Sequence, residues 1–112
     1  MTERRTERIN RLLEKELAEI LRQETAKTSE LMVSVSAVRT SADLSTALVF
    51  ISVFPSRRGK EIIGNISSRA GEVRSALAEK VRHQLRILPS LLFELDDTID
   101  RMERIGQLLD KH

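Results

Sequence analysis

The apolar residues of this chain change their spacing four times, and those changes restrict the possible folds more than any other feature. From Glu3 to Glu24 they recur every third or fourth residue, at Ile9, Leu12, Leu13, Leu17, Ile20 and Leu21. Such a stripe covers one face of an amphipathic helix, and no Gly or Pro interrupts it. It ends in the polar run from Gln23 to Thr28. From Leu31 the period falls to two. Leu31, Val33, Val35 and Ala37 alternate with Met32, Ser34, Ser36 and Val38. Alternation rich in Val predicts a strand. Thr40-Ser41-Ala42-Asp43 reads as a polar turn. The run Ala47 to Phe54 is nearly all apolar, the pattern of a strand covered on both faces or central in a small sheet. Pro55 ends it, because proline cannot donate to a strand ladder. The two strands are expected to pair as an antiparallel hairpin.

Helical spacing then returns with Ile62, Ile63 and Ile66, and continues through Val73, Ala76, Leu77, Val81 and Leu85. Gly71 sits inside this stretch, where a glycine costs on the order of 1 kcal/mol relative to alanine. A kink at Ala70-Gly71 between two helices accounts for the pattern better than one straight helix. Pro89 closes the region, and Leu91, Phe93 and Leu95 mark one face of a third strand. Ile99, Met102, Ile105 and Leu109 then predict an additional helix over 97–112, with Asp97 or Thr98 as its cap.

With 112 residues, one ordinary domain spanning 1–112 is expected. The chain has no Trp, no Tyr and three Phe, so its core must be aliphatic. It has no Cys, which removes disulfides, thiolate metal sites and a cysteine nucleophile from consideration. The apolar runs fall far short of a membrane span, and Glu3 and Glu7 interrupt the early arginines where a secretory or transit signal would have none. A cytoplasmic protein with no membrane contact is the expectation.

Charge is distributed unevenly. Residues 1–56 balance to zero, residues 57–86 carry eight basic against three acidic side chains, and residues 87–112 carry three against six. Positive charge concentrated in the folded middle of a chain suits a phosphate backbone. The structural alternative is a solvated helix face.

The order helix, strand, strand, helix, kink, helix, strand is that of an α+β, type II KH-like fold. In such a fold a three-stranded sheet is packed by helices. The local sequences narrow the match. The helix closing in Glu16-Leu17-Ala18-Glu19-Ile20-Leu21, the strand and turn Val33 to Leu44, the strand Ala47 to Val53, the stretch Gly71 to Leu77 and the run Leu85 to Asp96 follow in one order. In that order and at that spacing they resemble the ribosome-binding factor A family over nearly the whole chain. The family's kink carries a small residue two positions before its glycine, where this chain has Arg69. The Gly-x-x-Gly loop with which a KH domain clamps nucleic acid is missing here, as it is from that family.

The resemblance implies a non-enzymatic assembly factor. Its partners would be the free small (30S) ribosomal subunit and its 16S rRNA, and it would assist late maturation, including in the cold. A monomer without cofactor or metal is expected. The RNA contacts are expected from the basic stretch: Arg57, Arg58, Lys60, Arg69, Arg74, Lys80, Arg82 and Arg86, with Arg39 beside the first turn and the kink pair Ala70 and Gly71. Arg and Lys neutralise phosphates and release counterions, so such binding weakens steeply with salt. For Gly71 the first expectation is structural, that it brings two backbones close; the second is that it leaves helix N-terminal amides pointing at a phosphate. Phe50, Phe54 and Phe93 lie in strands and are expected in the core rather than stacked on bases. His83 and His112 have no metal partner at ligand spacing, and Asp96 and Asp97 would point to opposite faces of a strand, poor geometry for an acid–base pair. The competing classes are a protein–protein adaptor with this fold and a general RNA-binding module. One continuous basic face over 57–86 would favour RNA; interruption by Glu61, Glu72 and Glu79 would favour the adaptor.

Overall fold

The computed structural model describes residues 2–25 and 31–96. The expected helix over 97–112 lies outside the described residues. The elements follow the expected order: α1 (Thr2–Thr25), β1 (Met32–Thr40), β2 (Thr46–Phe54), a single 3₁₀ turn (Ser56–Arg58), α2 (Gly59–Ser68), α3 (Ala70–Val81) and β3 (Ser90–Leu95).

The three strands form one mixed sheet in the order β1-β2-β3. β1 pairs antiparallel with β2, as a hairpin must, and β3 joins the other side of β2 in parallel. A parallel neighbour needs a long crossover, and α2 with α3 supplies it. The helices cover one face of the sheet. On that face Leu13, Leu17 and Leu21 of α1, Val49 and Ile51 of β2, and Leu77 and Val81 of α3 are almost wholly shielded from solvent. Burying a side chain of that size contributes roughly 1.5–3 kcal/mol, so this aliphatic seam is the main source of stability. Leu91 and Phe93 complete it, as the alternation in the third strand requires.

Register corrects the reading of β1. Val33 opposes Val53 and Val35 opposes Ile51, but Ala37 opposes Phe50, so Ser36 is an extra residue in a bulge. A bulge reverses the parity of everything beyond it. Val38 therefore turns inward and is 4% exposed, while Ala37 and Arg39 share a face with Phe50 and Leu48. The same parity puts Phe54 on the uncovered face, 68% exposed beside Met32, and leaves Phe50 half-buried; only Phe93 of the three aromatics lies in the core. Leu92 is exposed on this face too.

The kink also lies one residue earlier than expected. α2 stops at Ser68, and Arg69 alone leaves the helical conformation, at φ −110° and ψ 18°. Its N–H donates to the Ile66 carbonyl at 3.0 Å and its own carbonyl accepts from Val73 N–H at 3.1 Å. One residue thus closes one helix and opens the next. Ala70 and Gly71 fall in the first turn of α3. A Cβ added at Gly71 would meet nothing within 4 Å, so this glycine does not bring two backbones together. Gly59 does make a close approach: a Cβ there would come within 2.8 Å of the Leu95 side chain, where α2 begins against β3.

Candidate nucleic-acid interface

The basic residues singled out from sequence divide into two sets. Four use their donors inside the protein. Arg58 pairs with Glu61 at 3.3 Å, and Arg69 bridges Glu24 at 2.9 Å and Glu72 at 3.0 Å. Lys80 lies 3.7 Å from both Glu16 and Glu19 of α1. Arg74 directs its guanidinium at two carbonyls, Leu88 at 2.8 Å and Pro89 at 3.2 Å, and so ties the segment before β3 to α3. The other five, Arg39, Arg57, Lys60, Arg82 and Arg86, are exposed, and their side chains make no hydrogen bond or ion pair to a described residue.

These five do not form one patch. Arg57 and Lys60 follow the last residue of β2. Arg86 precedes β3, whose first residue Ser90 opposes Thr46 at the beginning of β2. The length of β2, nine residues, separates the two groups, or roughly 25–30 Å of strand. Glu61 and Glu72 each occupy an arginine within residues 57–86, so that stretch is not one continuous basic face. Arg39 lines a shallow groove in which Glu7, Arg11 and Glu14 of α1 mix both signs of charge.

The end of the sheet where β2 begins is different. There the segment after α3 meets the N-terminal half of α1 and encloses a groove of about 810 Å³. Arg86 reaches it from one wall, and Arg5 and Arg8 from the other. Neither Arg5 nor Arg8 was singled out from sequence, because residues 1–56 carry no net charge. A usable signal was their spacing: Arg5, Arg8, Ile9 and Leu12 stand at helical steps of three, four and seven, on one stripe. Among the described residues no carboxylate lines the groove. Arg82, the C-cap residue of α3, stands beside this end with His83.

The turn between β1 and β2 forms part of the same wall. Leu44 lines the groove while its backbone sits at φ 62°, a left-handed conformation that costs a non-glycine residue about 1–3 kcal/mol. The turn is held by its neighbours. Ser41 N–H donates to the Thr46 carbonyl at 2.8 Å, and Leu44 N–H to the Ser41 carbonyl at 2.9 Å. The Asp43 carboxylate accepts from the Ser41 hydroxyl at 2.7 Å, the Ser45 hydroxyl at 2.8 Å and Ser45 N–H at 3.1 Å. Those donors, Ser41 first, lower the Asp43 pKa from 3.8 to about 2. Among the described residues no group of three or more His, Asp or Glu side chains could hold a metal ion, and no helix is long and apolar enough to cross a membrane.

Comparison with known proteins gives a consistent result. The family model for ribosome-binding factor A matches residues 5–109. Ribosome-binding factor A of Flavobacterium johnsoniae is 38% identical over 111 residues, covering 97% of this chain and 85% of that protein. The protein of the same name from Protochlamydia amoebophila is 39% identical, covering 99% and 85%. The crystal structure of ribosome-binding factor A from Thermus thermophilus superposes with a TM-score of 0.67 at 27% identity, over 80% of this chain and 94% of that one. A homology model of the Thermus thermophilus factor, fitted into a cryo-electron microscopy map of its complex with the 30S subunit, superposes at 0.62 with 30% identity over 77% and 89%.

Proposed function

The chain belongs to the ribosome-binding factor A family, and from that premise we propose that it binds the free 30S ribosomal subunit and assists late maturation of 16S rRNA, including at low temperature. It acts by holding RNA and catalyses no reaction. Support for the partner comes from the Thermus thermophilus relative, which was fitted into a map of a 30S complex. Within this chain, the carrying observation is the set of arginines around one end of the sheet that have no carboxylate partner among the described residues. Arg82 and Arg86 follow α3, Arg5 and Arg8 extend from α1, and no described acid lies in the groove that three of them share.

The physical argument is electrostatic. An arginine already paired with a carboxylate loses that partner if it turns to a phosphate, so Arg58 and Arg69 gain less than a free one would. A free guanidinium forms two parallel hydrogen bonds to phosphate oxygens and displaces condensed counterions. Arg82, Arg86, Arg5 and Arg8 are therefore the strongest phosphate contacts, and Arg57 and Lys60 form a second foothold about one strand length away. Arg69 and Lys80 shape the surface by fixing the kink and α3 on α1, and Arg74 does so by tying the segment before β3 to α3.

The maturation role has its own test. Cells depleted of the protein and grown in the cold are expected to accumulate 16S rRNA with unprocessed ends, and wild-type protein but not the Arg82→Gln/Arg86→Gln form is expected to reverse this. Normal 16S ends after depletion would contradict the role. The adaptor alternative rests on one observation, the exposed apolar pair Met32 and Phe54 with Leu92 on the open sheet face. Raised salt should leave an apolar interface intact and abolish a phosphate-driven one.

A further inference from the structure

We propose that the groove between α1 and the α3–β3 segment receives one unpaired nucleotide of single-stranded RNA, its phosphate held by Arg5, Arg8 and Arg86 and its base resting on an aliphatic floor. This deepens the function proposed above and rests on it for the identity of the polymer.

Three features carry the inference. The first is charge. Among the described residues the groove holds three guanidinium groups and no carboxylate, whereas the groove beside Arg39 contains Glu7 and Glu14 and the one beside Arg69 contains Glu24. Concentrated unpaired positive charge costs self-repulsion, which a bound anion relieves. The second is the floor. Ile9, Leu12, Leu44 and Leu85 give it apolar surface, and Ile87 stands at its edge 64% exposed, next in sequence to Arg86. An exposed isoleucine beside a cluster of arginines matches a ligand that is apolar on its face and anionic at its edge, as a nucleotide is. An acidic peptide would use the arginines but leave this floor wet. The third is shape. About 810 Å³ lies within the usual range for a small-ligand cleft, and the left-handed backbone of Leu44 directs an apolar side chain into it at a conformational cost.

The chemistry also limits what is read. No aromatic among the described residues lines the groove, so the base lies against methyl groups and guanidinium planes rather than stacking on a ring. Gln84 is the one neutral hydrogen-bonding side chain that the described residues contribute to the lining. One amide distinguishes bases weakly, so the site selects for an unpaired base more than for its identity. A base inside a duplex cannot enter.

The test compares probes that share phosphates and differ in bases. Fluorescence anisotropy would follow the full chain binding a labelled oligouridylate of about ten nucleotides, an abasic strand of the same length and a matched RNA duplex. The oligouridylate is expected to bind about tenfold more tightly than the abasic strand, which corresponds to roughly 50–60 Å² of apolar surface removed from water. Ile87→Ser, an exposed substitution, is expected to remove that preference and leave abasic binding unchanged. Arg5→Gln/Arg8→Gln is expected to weaken both strands and to reduce the slope of log affinity against log salt by up to about 0.7, the single-strand value for the one phosphate held there. Equal affinity for oligouridylate and abasic strand, an Ile87→Ser form that keeps the preference, or tighter binding to polyglutamate than to oligouridylate would overturn the proposal. Pelleting with ribosomal subunits separates the two readings. A chain that pellets with the small subunit yet ignores bases sinks the groove alone. A chain that prefers oligouridylate but pellets with neither subunit sinks the assembly function and supports the groove.

Discussion

The Arg74 guanidinium donates to the Leu88 carbonyl at 2.8 Å, across fourteen positions of sequence. A second bond reaches Pro89, and the two together hold the chain that leads from α3 into β3. Arg74→Ala is expected to lower stability by about 1 kcal/mol, since the bonds are charge-assisted but partly solvated. Arg74→Lys should restore little of it, because an ammonium lacks the fork that spans two carbonyls. Urea unfolding midpoints measure both. Binding should weaken in these forms without a change in salt slope, while Arg86→Gln should reduce the slope.

The two glycines at the helix junctions should respond oppositely to alanine. Gly71→Ala meets nothing within 4 Å in the first turn of α3, and is expected to stabilise by about 0.5–1 kcal/mol. Gly59→Ala forces the Leu95 side chain aside from 2.8 Å, and is expected to destabilise by about 1 kcal/mol after its own gain in helix propensity. Calorimetric midpoints moving in the same direction would contradict the packing described at these sites.

The bulge at Ser36 makes a parity test. Val38→Ala removes a buried side chain and is expected to cost about 1–2 kcal/mol, whereas Ala37→Ser on the other face is expected to cost under about 0.5 kcal/mol. The reverse ranking would restore the unbroken alternation read from sequence.

Much of the fold is legible in the chain because periodicity reports which faces are covered. The six main elements follow from the spacing of residues such as Leu13, Leu17, Val49 and Leu77. What the spacing misses depends on partners distant in sequence. Ser36 becomes a bulge only through its pairing with β2, and the parallel placement of β3 follows from the crossover. Arg69 closes α2 through backbone bonds that no residue preference announces. The site was legible in its chemistry and only partly in its residues. Net charge located Arg82 and Arg86, but it could not tell that Lys80 faces Glu16 and Glu19, nor that balanced charges along α1 leave Arg5 and Arg8 free at one end.

The Asp43 turn should show in acid. Its folded pKa of about 2 lies below the unfolded 3.8, so its contribution is complete above about pH 4 and is lost as pH falls toward 2. Carboxyl carbon shifts in an NMR titration are expected to give a midpoint near 2 in the wild type. Ser41→Ala removes the largest cause and should raise it. An unchanged midpoint in that variant would assign the shift elsewhere.

Co-sedimentation with purified ribosomal subunits at low and raised salt tests the central claim most directly. The account expects pelleting with the small subunit alone, lost as salt rises and lost in an Arg82→Gln/Arg86→Gln form whose circular dichroism is unchanged. Absence of association at low salt, or association indifferent to both salt and these arginines, would contradict it.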